Sequence, residues 1–280
     1  MPDELVHAVV LIGVLVVLPL VFGGFVRWSL VGVAVALSML VPVGATAAAV
    51  AGVWGVAALW TARDVARHTT SARHTVRDVP RQAAVELVAA GFGVVAAVAF
   101  VMSRAGVTLF GIGEPIVELT AVHFTYAGVG AVTLAGAVAV DTVGRLALAA
   151  TVSAPPIVAV GFIASHPLPQ VGGALLLSAG VLVTAVLQLR DAAVGCGATT
   201  RRLRVLMVVS GLAPWAPMVL AVAWAASLYR DVPALSVPDM ARTHGVMNVI
   251  FVVAGLLALR AGEHPERATA RRLLEHGARP

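Results

Sequence analysis

Glu118, His123 and Tyr126 fall within nine residues of one another in "EPIVELTAVHFTYAG" (114–128), and "ARTHGVMN" (241–248) later adds His244 and Asn248. A carboxyl group, two imidazoles and a phenol are the side chains of general acid–base chemistry. Their surroundings are mostly Ala, Val, Leu and Gly. An ionisable group inside an apolar span costs roughly 2.5–3.5 kcal/mol even on permissive insertion scales, so such groups mark a site by default. A dry interior favours their uncharged forms: a carboxylic acid able to protonate an alkene or epoxide, and an imidazole able to take a proton. Tyr126 and Asn248 would orient the substrate or stabilise an intermediate. Thr125, Phe124, Arg242, Met247, Phe251 and Trp215 are the expected substrate-lining residues.

These side chains need helices to position them. Stepping 100° per residue along 116–140 places Glu118, His123, Thr125, Tyr126, Gly130 and Thr133 on one arc of about 160°, with Val117, Leu119, Phe124 and Leu134 mainly outside it. That arc suits the wall of an intramembrane cavity, with Gly128 and Gly130 admitting a neighbouring helix or a ligand. His244, Asn248, Phe251 and Gly255 repeat at i, i+4, i+7 and i+11 and form a second stripe.

The whole chain is built to match. It has 280 residues, 60% of them apolar and 12% charged, with mean hydropathy +0.96. This predicts an all-α, polytopic transmembrane bundle. Nine candidate spans cover 5–26, 28–42, 44–60, 85–103, 116–140, 146–164, 169–189, 205–228 and 242–260; a single span over 28–60 would reduce them to eight. The bundle occupies 1–260, with a basic loop at 61–84 that reads as an ordinary cytoplasmic loop or as a surface helix. A basic tail follows at 261–280. Residues 1–4 (MPDE) are acidic where a signal peptide would be basic, so the first span is expected to stay.

All 19 basic residues counted as Lys+Arg are Arg, and with the N-terminus outside and nine spans, 16 of them fall on the cytoplasmic side. The positive-inside rule supports that orientation in a bacterial cytoplasmic membrane. It also accounts for the net charge of +5 without nucleic acid. The partners expected are the bilayer and a lipophilic small molecule. The lone Cys196 has no second cysteine to pair with. Neither a Walker A motif nor GxGxxG is present.

Blander roles suit the other polar groups. Glu114 starts a helix, Glu86 is interfacial, Asp141 pairs with Arg145, and His7 and His166 lie at the outer interface. His7 and His166 nevertheless share the outer side with Glu118, His123 and His244.

"AVHFTYAG" and "ARTHGVMN" resemble the YndJ-like integral membrane proteins of bacteria. The matching pattern is a His-Phe-x-Tyr-Ala-Gly helix (His123, Phe124, Tyr126, Ala127, Gly128) and a Thr-His-Gly-x-x-Asn helix (Thr243, His244, Gly245, Asn248). The resemblance implies an architecture more than an activity, and the family often carries a transporter label. Longer members carry a further C-terminal region, expected to have no counterpart here.

Three functions compete. The first is a membrane enzyme that cyclises or isomerises an isoprenoid or polyketide-type molecule, with Glu118, His123, Tyr126, His244 and Asn248 as its site and no cofactor. The second is a small-molecule or proton-coupled transporter with Glu118 and the His pair as relay. The third is a b-type haem or divalent-metal protein using His123 and His244 as ligands.

Overall fold

The computed structural model describes residues 2–72, 79–108, 111–194 and 200–277, and of 263–277 only the backbone course. Among the described residues nine helical rods follow one another: α1 (Glu4–Phe22), α2 (Phe25–Leu40), α3 (Ala45–Thr69), α4 (Arg81–Ala105), α5 (Ile116–Val138), α6 (Thr142–Ile163), α7 (Pro167–Val194), α8 (Arg201–Ser227) and α9 (Val237–Gly262). No strand occurs among the described residues. Eight of the nine are long and apolar enough to cross a membrane. The exception, α2, has 16 residues, which at 1.5 Å per residue is about 24 Å, short of a bilayer's apolar core.

Residues 28–60 are thus two helices. The chain turns between them at 41–44, where Pro42 removes a donor and Gly44 takes φ 150°. The other tight turn, between α1 and α2, uses Gly23 and Gly24 at φ 72° and 71°, a region open to glycine and poor for other residues. The basic segment 61–84 forms no separate surface helix among the described residues. Its Ala- and Arg-rich ends continue the flanking helices, the first running to Ala72 and the second starting at Val79; 73–78 lie outside the described residues. The α9 helix likewise runs on to Gly277.

Contacts at the two rims show that the rods alternate in direction. Gly44 N–H donates to Arg104 O at one rim. At the opposite rim, Arg260 donates to Leu20 O (2.7 Å) and Val21 O (3.3 Å), and Arg81 donates to Ala139 O. These two arginines cap the C-terminal ends of α1 and α5, where helix carbonyls lack intrahelical donors.

Two apolar clusters hold the bundle. One joins α1–α4 around Trp28, Val35, Trp54 and Phe100. The other joins α1 with α7–α9 around Leu134, Met218, Phe251 and Leu256. Both α1 and α5 contribute to each, and α5 is the most enclosed rod, with 61% of its apolar window buried against 28–44% for the others. Close helix approach does part of the work. A Cβ on Gly180 would lie 2.9 Å from Ala147 O, so only glycine lets α7 come this near α6.

Three rods contain wide π-helical turns: α1 at Gly13–Val17, α5 at Phe124–Ala131 and α9 at Ala241–Gly245. Two of these rods, α5 and α9, carry the residues predicted to do chemistry. Such turns are rare and frequent at functional sites.

Candidate intramembrane acid–base site

Glu118 stands in the first turn of α5, behind the helix start made by Glu114, whose carboxylate accepts the Glu118 N–H at 3.3 Å. Its Oε1 lies 3.4 Å from His7 Nε2 on α1; the two side chains are 12% and 28% exposed. His7, read from the sequence as interfacial, therefore joins the candidate cluster through Glu118. The depth it shares with Glu118 was a signal for this. What the sequence could not supply was that α1 packs beside α5.

One and a half turns further along α5, His123 is half-buried. Its Nε2 is enclosed without a hydrogen-bond partner. His244 sits in the π turn of α9, a rod that packs against the π turn of α5. His244 Nδ1 is 2.8 Å from Pro217 O on α8. A carbonyl only accepts, so Nδ1 carries the proton and Nε2 keeps the basic lone pair. The backbone of α8 thereby fixes the His244 tautomer. No residue-type pattern at Pro217 foretells this, because the acceptor is main chain.

The other candidates divide. Tyr126 is buried and donates its hydroxyl to Val9 O at 2.9 Å, which makes it a strut between α5 and α1. Thr125 donates to Ala121 O within its own helix, and its methyl fills the space that a Cβ on Gly13 would need. Phe124 is buried against Phe92 (5.5 Å between ring centroids) and edge-on to His123 (6.1 Å). Phe251 is in the core, Met247 packs on its edge, and Asn248 is half-buried one turn beyond His244. Arg242 is 52% exposed and bonds Asp239 at 3.3 Å. Trp215 is 45% exposed on the bundle surface, with its indole on Gly211 O. The structure does not bring these last two to the cluster.

The small residues of α5 admit side chains. Phe92 occupies the space at Gly128, and Val252 that at Gly130. The α-period arc also breaks at residue 124, since the wider π turn changes the phase of everything after it. One of the blander readings changes as well. Asp141 caps the start of α6 by accepting from Gly144 N–H at 2.8 Å, while Arg145 donates to Thr142 Oγ1 at 3.2 Å. His166 Nδ1 accepts from Leu168 N–H at the start of α7.

Among the described residues no group of three or more His, Cys, Asp or Glu is placed to hold a metal ion. A metal or haem reading therefore rests on the two imidazoles alone.

Fold and cluster together define a multi-pass α-helical membrane protein. The chain belongs to the YndJ-like protein family, whose model matches residues 8–252 and so spans both histidine segments. It matches no curated protein and no solved structure.

Proposed function

We propose that this protein is an enzyme of a bacterial cytoplasmic membrane that isomerises or cyclises a lipophilic isoprenoid or polyketide-type molecule by proton transfer. The observation that carries the reading is the enclosed, unpartnered Nε2 of His123 beside a His244 whose tautomer is fixed by Pro217 O. An unpaired buried polar atom is costly and needs a reason. A base that must exchange a proton supplies one.

The Glu118–His7 pair at the rim holds a proton between a carboxylate and an imidazole. Glu118 donates it to a substrate carbon, and His123 or His244 takes another from a neighbouring carbon. The substrate's double bond moves or closes a ring, and the proton count is unchanged. Burial of Phe124 and Phe251 keeps water from the cationic intermediate.

Proteoliposomes loaded with a bacterial lipid extract in D2O test this. The wild type is expected to place deuterium on carbon in one lipophilic compound, and Glu118→Gln is expected not to. A transporter reading has one point in its favour: exposure falls from His7 to Glu118, as along an entry path. Proton uptake by the same vesicles with no carbon-bound deuterium would decide for it.

A further inference from the structure

A second site lies in the α1–α4 half, away from the acid–base cluster. Leu18, Phe22, Trp28, Trp54, Thr61 and Gly93 line a narrow slot, as it stands too tight to admit a water molecule. Trp28 and Trp54 are each 1% exposed, and each indole N–H is buried with no acceptor. Thr61 gives its hydroxyl proton to Ala57 O and leaves both indoles unserved. Beside the slot, the Arg27 guanidinium lies 5.3 Å from the Trp28 ring centroid, and its Nε is also without a partner.

Two orphan donors in a space closed to water disfavour the closed form. Whatever parts α2 from α3 and α4 and brings acceptors relieves that penalty. The lining is otherwise apolar, and a cation sits at one edge. We propose that this slot binds an anionic glycerophospholipid, with its phosphate on Arg27, ester carbonyls accepting from Trp28 and Trp54, and an acyl chain along Leu18 and Gly93. Positive-inside topology puts this end of α2 at the cytoplasmic leaflet, where anionic lipids concentrate. Arg27 thus has a ligand as well as a topological role.

Native mass spectrometry of the detergent-purified protein tests the assignment, with phosphatidylglycerol, phosphatidylcholine and inorganic phosphate added separately. The wild type is expected to hold one phosphatidylglycerol, with Arg27→Gln and Trp54→Phe each weakening it about tenfold. Trp54→Phe keeps a ring against Phe100. Freed of an orphan donor, it is expected to melt at or above the wild-type temperature without lipid and to gain less from added lipid. Equal retention by all three proteins overturns the proposal, as does inorganic phosphate binding with the same Arg27 dependence or phosphatidylcholine binding equally well. In the unmutated protein, acyl-brominated phosphatidylglycerol is expected to quench Trp fluorescence at lower mole fraction than its phosphatidylcholine counterpart; equal quenching also overturns it.

Discussion

Two of the polar groupings that cross helices in this bundle are finished differently. Where α7, α8 and α9 meet, Ser210 Oγ lies 3.0 Å from Gln188 Oε1 and 2.9 Å from Phe251 O. The hydroxyl has one proton, so it donates to Phe251 O and accepts from the Gln188 amide turned to present its NH2, which leaves neither the serine nor the Phe251 carbonyl open. At the far rim of α5, the ionisable cluster has an imidazole nitrogen with none. The comparison separates fastening from chemistry. The Ser210 knot closes on itself, whereas the ionisable cluster leaves one nitrogen open, as the proposed proton transfer needs.

Mutations sharpen that distinction. Glu118→Gln is expected to lower turnover about 10²–10⁴-fold, the usual worth of a general acid, with melting in detergent near wild type. If melting collapses with it, the outer cluster is another knot. His123→Ala is expected to cost a comparable factor while relieving the orphaned nitrogen, so its melting temperature should hold or rise. Ser210→Ala reverses the pattern: activity survives, and resistance to SDS unfolding falls by about 1–2 kcal/mol, as for a buried interhelical hydrogen bond in a membrane. Tyr126→Phe is expected to cost about 0.6 kcal/mol with turnover within a few-fold, by the same unfolding assay. A large turnover loss there would return Tyr126 to the chemistry. Trp215→Ala, on the exposed face, is expected to change stability by about 0.5 kcal/mol or less.

Much of the architecture was legible because it follows from composition. Apolar runs bounded by Arg or Pro gave each rod to within a few residues at most ends, and Pro42–Gly44 marked the break in 28–60. The ends at 61–84 were missed because charge was taken as the end of a helix, although Ala and Arg favour helix in water as well as in lipid. Within the site, Glu118, His123 and His244 stood out as costly residues in apolar surroundings. His7 did not, because its role depends on which helix lies beside it. Tyr126 looked chemical by type, yet its hydroxyl is committed to Val9 O, and main-chain acceptors leave no trace in side-chain patterns. The π turns were invisible for a related reason: they are set by packing between rods.

The arginine that caps α1 comes from the other end of the chain, 240 residues away. During synthesis the first helix enters the bilayer with the carbonyls of Leu20 and Val21 open, and they stay so until the last span arrives. Closure of that rim therefore waits for α9: a chain halted before it leaves both carbonyls without their side-chain donor. Lys at 260 would preserve the charge that orients the span, but it lacks the planar fork that spans two adjacent carbonyls. Such a chain is expected to orient as before but to hold one of the two carbonyls where Arg260 holds both.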